Sequence, residues 1–265
     1  MSGLSAVLID LDGTVYTSAG LVPGADRVIA ALRRRSIPFK FVTNSTGRSR
    51  RLLVERLATY GVAATPEDIV TAVRAGVALL KAKHVRVIAP FVAAPALEDL
   101  GEFTLAGGTS GRPAAKPDAV VLGDLGRGWS ADLLNEAFRA VLDGALLVAL
   151  QKDRYWLAPT GLDLDVGPYA AALEFATKRE ALVAGKPNPD FYHAVLASLG
   201  PAAQGVQATM IGDDIWSDVQ GAQRAGLQGW LVRTGKFRDD VLAASGVRPD
   251  RVLPSFGALA DEFDV

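Results

Sequence analysis

The densest chemistry in the chain lies near its start, where Asp10-Leu11-Asp12-Gly13-Thr14 follows directly on the apolar run Ala6-Val7-Leu8-Ile9. Side chains alternate along extended backbone, so Asp10 and Asp12 face the same side. Two neighbouring carboxylates repel, and a cation relieves that repulsion. Oxygen donors at this density suit Mg²⁺, and Gly13 lets the chain turn away. A second acidic run, Gly212-Asp213-Asp214 with Asp218 shortly after, follows another apolar stretch, Ala208 to Ile211. Each run alone has a plainer reading, since Asp and Gly often end strands and Asp caps helices. The two together are harder to dismiss, because neither strand needs bare acids.

Two polar clusters lie between these runs. Thr43-Asn44-Ser45 offers a hydroxyl, an amide and backbone N–H groups at a helix entrance, a combination that binds phosphate oxygens and equally well caps a helix. Gly185-Lys186-Pro187 holds one lysine between two backbone-restricting residues. Its point charge suits a phosphoryl group or an aspartate, although an exposed turn lysine looks the same in sequence.

These groups need elements to carry them. Ala6–Ile9 and Phe39–Val42 read as strands buried on both faces, with helices over Val28–Arg35 and Ser49–Tyr60. Strand, helix, strand, helix predicts α/β architecture with a parallel sheet and right-handed crossovers. The pattern restarts after about residue 80. Strands are expected at Val85–Ala89, Ala119–Leu122 and Leu146–Leu150, with a helix at Ala131–Leu142. Beyond these come helices at Gly167–Thr177, Asp190–Leu199 and Asp218–Ala225, a strand at Ala208–Ile211, and a final strand at Trp230–Val232. Ligands of open parallel sheets bind beyond the carboxyl ends of the strands. Asp10/Asp12, Thr43/Asn44, Lys186 and Asp213/Asp214 all fall at such ends.

Composition narrows the chemistry. The 265 residues are 49% apolar, enough for a sizeable core, and the 28 Lys+Arg against 29 Asp+Glu leave a formal charge of -1. So even a balance gives no global argument for nucleic acid or an anionic membrane as partner. With no cysteine and two histidines, disulfides, thiolate metal sites, a cysteine nucleophile and a three-histidine zinc site are excluded. Neither a membrane span nor an export signal is visible, and the expectation is a soluble cytoplasmic protein.

Taken in order, Asp10-Leu11-Asp12-Gly13-Thr14-Val15, Thr43-Asn44, Lys186 and Gly212-Asp213-Asp214-Ile215-Trp216-Ser217-Asp218 resemble the four motifs of the haloacid dehalogenase (HAD) superfamily. The short interval from Asp12 to Thr43 has no room for a cap domain, whereas Thr43 to Lys186 does, a layout that resembles class IIA, the NagD type. The runs 161–169, 210–215 and 232–238 look like the branch containing phospholysine phosphohistidine inorganic pyrophosphate phosphatase. The resemblance implies a Rossmann-like parallel-sheet core at 1–79 and 182–265 with an inserted α/β cap at 80–181. It implies a Mg²⁺-dependent phosphatase acting on a small phosphorylated substrate. Asp10 would be the nucleophile, forming an aspartyl-phosphate, and Asp12 the general acid and then base. The metal would bind Asp10, the Asp12 carbonyl and Asp213, with Asp214 and Asp218 behind them holding metal waters or Lys186. Asp10, Leu11, Asp12, Thr43, Asn44 and Lys186 would surround the phosphoryl group. Class IIA caps often form dimer contacts, so a homodimer is an expectation of the same resemblance.

Other residues are set aside. Arg33-Arg34-Arg35 and Arg48, Arg50 and Arg51 read as solvated helix faces, and His84 and His193 have no motif context. Tyr155, Trp156 and a loop at Gly161–Gly167 are candidates to close over substrate, with cap core as the plainer place for Trp156. Trp216 is an apolar residue inside the acidic loop that could touch cap or substrate. Gly107-Gly108-Thr109-Ser110-Gly111 lacks the lysine and spacing of a nucleotide-binding loop. Dehalogenation would not need Asp12 or the acid-rich fourth motif, and sugar phosphotransfer usually goes with a cap between the first two motifs. A phosphate-binding sensor or scaffold with little turnover is the competing reading.

Overall fold

Ala6–Asp10 is a strand whose five residues are all buried, as an apolar run in the middle of a parallel sheet must be. A computed structural model describes residues 4–106, 115–158 and 161–265. In it, this strand lies between Ala208–Gly212 and Phe39–Thr43, parallel to both. The whole sheet runs Arg251–Leu253, Gln228–Val232, Ala208–Gly212, Ala6–Asp10, Phe39–Thr43, Ile69–Thr71. The helix at Ala25–Arg34 buries Ala25, Val28, Ile29, Ala31 and Leu32. They join Val7, Ile9, Phe41, Leu53 and Leu57 in one apolar cluster. Each fully buried Leu, Ile or Phe there contributes about 1.5–3 kcal/mol, so the strand ends rest on a stiff base.

The chain forms two compact units, one of residues 1–43, 50–70 and 186–265, the other of 44–49 and 71–185. The second has its own parallel sheet in the order Leu182–Val183, Leu146–Ala149, Ala119–Leu122, Val87–Phe91, Thr104–Leu105. Two apolar clusters flank it, around Val121 and Val148 on one face and Val120 and Leu147 on the other. That alternation along each strand is the period-two signature of a sheet covered on both sides. The expected α/β class with parallel sheets is the observed one. Among the described residues no helix is long and apolar enough to cross a membrane.

Several elements differ from expectation. Trp230–Val232 is not the last strand, because Arg251–Leu253 adds to its far side. That strand is only three residues long and buries one of them, Leu253, too little for an apolar pattern to reveal. Gly161–Gly167 is not a loop: Gly161–Leu164 pairs antiparallel with Tyr155–Ala158, and a helix begins at Val166. The alternation in Gly161-Leu162-Asp163-Leu164 was a strand signal outweighed by its glycines. Ala72–Ala82, where no element was expected, is a helix capped by Thr71. The helix expected at Asp218–Ala225 is a π-helical turn at Ile215–Gln220 followed by a short α-helix at Gly221–Arg224. Arg33 and Arg35 are exposed but not merely solvated, since their guanidinium groups lie 5.6 and 4.8 Å from the ring centres of Phe39 and Phe263. The segment Gly107–Gly111 lies outside the described residues.

Candidate active site

The acids converge because of sheet register. Ile9 pairs with Ile211, so one step further along both strands Gly212 lies beside Asp10 and Asp213 follows just beyond. On the other side Asp10 pairs with Val42, and buried Thr43 comes next. Asp10, Asp213 and Asp218 each present a carboxylate oxygen within 4.8 Å of the others, and all three are buried.

Glycines make room for these carboxylates. A Cβ on Gly13 would fall 2.0 Å from Asp213 Oδ2, and one on Gly235 1.9 Å from the same oxygen. Both glycines also have positive φ, 93° and 61°, which suits no other residue well. A Cβ on Gly212 would fall 2.1 Å from Asp218 Oδ2. Any side chain at these three places would displace an acid.

Lys186 is only 2% exposed. Its ammonium donates to Asp10 Oδ1 and to Asp218 Oδ1, both at 2.6 Å. Asp218 Oδ2 accepts the Asp214 N–H at 3.0 Å, so both oxygens of Asp218 are engaged. Asp213 Oδ2 accepts the Lys236 N–H at 2.6 Å. Asp214 caps the π-helical turn through the N–H groups of Trp216 and Ser217 at 2.9 and 3.0 Å, with the Lys236 ammonium 3.4 Å from its other oxygen. The turn is further held by the Tyr192 hydroxyl, which donates to the Ser217 carbonyl. By contrast, Asp10 Oδ2 is buried with no hydrogen-bond partner.

The electrostatics follow from this packing. Burial pushes the Asp10 carboxyl up to about 7, with Lys186 pulling it down and Asp218 pushing it further up. Burial likewise raises Asp213 well above the usual carboxylate range, and the charges of Asp10 and Asp218 add to it. Asp218 is raised by burial against the pull of Lys186. Burial alone would lower Lys186, but Asp10 and Asp218 outweigh it and hold the lysine charged. Asp214 stays low: burial would raise it, yet Lys236 and the two backbone donors prevail. If all three carboxylates were ionised they would face one buried ammonium with two negative charges left over, and their raised values are the cost of that state without a cation. A divalent cation would relieve that state, and the Asp10 and Asp213 carboxylates, side by side, have the donor chemistry to hold one.

Of the residues singled out in the sequence, Asp10, Lys186, Asp213 and Asp218 are brought together, with Asp214 bonded to Asp218. Leu11 is fully buried in the apolar core. Asp12 is half-exposed, and its carboxylate lies 3.7 Å from the Arg56 guanidinium. Asn44 belongs with the second unit, where its amide donates to Asp153 Oδ1 at 3.4 Å. Trp216 is 38% exposed. Roles for Gly235 and Lys236 were not foreseen, although their run, Val232 to Arg238, stood out in the sequence. Arg56 carried no signal, because an arginine on a helix otherwise reads as surface.

A family model for haloacid dehalogenase-like hydrolases matches residues 7–103, and a HAD-hydrolase-like model matches residues 183–259. Haloacid dehalogenase-like hydrolase domain-containing protein 2 of Mus musculus is 40% identical over 237 residues, covering 89% of this chain and 86% of that protein. Phospholysine phosphohistidine inorganic pyrophosphate phosphatase of Homo sapiens is 35% identical over 246 residues, covering 90% of this chain and 86% of that protein. The crystal structure of 4-nitrophenylphosphatase from Thermotoga maritima aligns with a TM-score of 0.85 at 26% identity, over 98% of this chain and 97% of that one. With relatives this similar along almost their whole lengths, and motifs that meet at one sheet end, the chain belongs to the haloacid dehalogenase-like hydrolases, in class IIA.

Proposed function

We propose that this hydrolase is a Mg²⁺-dependent phosphatase that works through an aspartyl-phosphate on Asp10. The observation that carries this reading is the asymmetry of the Asp10 carboxylate. One oxygen is held by Lys186 at 2.6 Å, and the other is buried and unpartnered. A nucleophile needs such a fixed carboxylate with an oxygen to spare. Asp10, the Asp12 carbonyl and Asp213 are the donors for the cation, which when bound offsets the repulsion between carboxylate and phosphate. Asp12, half-exposed, is the acid that protonates the leaving oxygen and then the base that takes a proton from water. Lys186, Thr43 and the backbone of Leu11 and Asp12 would hold the phosphoryl oxygens. Asp218 keeps Lys186 in place, and Asp214 supports Asp218. In this reading residues 1–79 and 182–265 form the catalytic core, and 80–181 form a cap that selects the substrate.

The human relative's name identifies phosphoamino acids and pyrophosphate as compounds to test first. The decisive assay is release of phosphate from p-nitrophenyl phosphate with Mg²⁺ and with chelator. Turnover should need the metal and should vanish in Asp10→Asn. Wild-type protein quenched in acid during turnover should carry one phosphoryl group on the peptide containing Asp10. Tight phosphate binding without turnover under any divalent cation would overturn the reading in favour of a sensor.

A further inference from the structure

We infer that Arg56 is a positioning residue for Asp12, and this rests on the reading above that makes Asp12 the general acid. Arg56 lies on the helix Arg50–Thr59, which is anchored in the core by Leu53 and Leu57. Its guanidinium lies 4.0 Å from the ring centre of Tyr16. Tyr16 is itself buried, and its ring is 5.8 Å from that of Tyr60. The guanidinium is therefore held against an aromatic face before it meets any acid.

The same tyrosine fixes the acid's backbone. Gly13 donates its N–H to the Tyr16 carbonyl at 2.7 Å, and Asp12 forms a β-bridge with Tyr16. Asp12 and the platform under Arg56 are thus parts of one tight turn. Among the described residues, Arg56 is the only cation within 4 Å of the Asp12 carboxylate. At 3.7 Å the contact is longer than a hydrogen bond, so it orients the carboxylate without occupying its protonation site. That suits a group that must give up a proton and then take one. Aromatic stacking fixes a planar guanidinium better than a flexible ammonium.

Protonation of the leaving group matters most when that group is a poor one. The test compares kcat/KM for phenyl phosphate and 2,4-dinitrophenyl phosphate, two aryl esters that differ strongly in leaving-group basicity, each variant being read against wild type on the same substrate. It uses saturating Mg²⁺ and the variants Arg56→Met, Arg56→Lys and Asp12→Asn. Arg56→Met should slow phenyl phosphate about 3- to 5-fold, the upper part of the range expected of a partly exposed charge contact. It should leave 2,4-dinitrophenyl phosphate within about twofold, and Arg56→Lys should recover part of the loss. Equal losses on both substrates would reduce Arg56 to a structural platform and overturn the inference, as would no loss on either. Those outcomes count against Arg56 alone if Asp12→Asn still discriminates steeply between the two substrates. If Asp12→Asn affects both equally, the general-acid reading falls and takes the inference with it. Arg56→Lys serves as the folded comparison if Arg56→Met unfolds.

Discussion

Replacing Lys186 by Met tests whether the buried charges balance as described. The ammonium is 2.6 Å from both Asp10 and Asp218, and none of the three groups is appreciably exposed. Methionine keeps the apolar stem and removes the charge. Breaking a buried ion pair by deleting one partner costs about 3–5 kcal/mol, because the remaining charge stays buried without compensation. At about 2–4 °C per kcal/mol for a chain of this size, the Tm of the metal-free protein should fall by about 6–20 °C near neutral pH. The loss should depend on pH in a defined direction. Without Lys186, Asp10 and Asp218 hold their protons more tightly than before, and their folded-state pKa values rise further above the unfolded ones. A raised carboxylate is protonated in both states at low pH and disfavours folding once pH climbs. The gap between variant and wild type should therefore be smallest near pH 4 and widest at pH 8. Mg²⁺ should recover part of it. Differential scanning calorimetry in chelator from pH 4 to 8 measures this. A uniform loss below about 2 °C, insensitive to pH and to Mg²⁺, would show that the lysine does not hold the acids' charge in check.

Asp10→Asn should do the opposite to stability while abolishing turnover. Because the Asp10 carboxyl is pushed up to about 7, its contribution is full below the unfolded carboxylate range and is lost as pH rises through about 7. The metal-free variant should therefore melt higher than wild type at pH 8, with the advantage gone by pH 4. A Tm difference that stayed constant over that range would contradict the raised value. Gly13→Ala would place a Cβ 2.0 Å from Asp213 Oδ2 at a φ of 93°. It should cost about 1–3 kcal/mol in folding and weaken Mg²⁺ binding at least about tenfold, roughly 1.4 kcal/mol. Calorimetric titration with Mg²⁺ reads this directly, and unchanged affinity would remove Asp213 from the ligand set.

The acids of this site were visible in the sequence because each follows an apolar strand long enough to be recognised, and a parallel sheet gathers such ends. Their division of labour came from the family resemblance and not from the residues themselves. The family resemblance offered Lys186 as a partner of Asp214 or Asp218, but the residues of Gly212-Asp213-Asp214-Ile215-Trp216-Ser217-Asp218 do not say that Asp218 is the one, since that depends on a π-helical turn rather than an α-helical one. The turn is set by Asp214 capping Trp216 and Ser217, a local hydrogen-bond choice with no periodicity. Periodicity also failed where elements are short or glycine-bearing, as at Arg251–Leu253 and Gly161–Leu164. Arg56 was hidden for a different reason. Its two neighbours, Tyr16 and Asp12, lie some forty positions earlier in the chain, and only the packed helix brings them into reach.

Burial makes the site costly to fold and useful to chemistry for the same reason. Water would screen the acids from one another and leave Asp10 with hydration to shed before it could attack. In the sheet end, Gly13, Gly212 and Gly235 admit the carboxylates but no solvent shell, so Lys186 must supply the countercharge from inside. One ammonium against three ionised acids would leave a deficit of two positive charges, which a dication would meet and a second lysine would not. Asp12 stands outside this arrangement, half-exposed and paired only at a distance with Arg56. On the proposed mechanism, the group that would exchange protons is the one that the fold leaves in contact with water, while the group that would attack is kept dry and held by one oxygen.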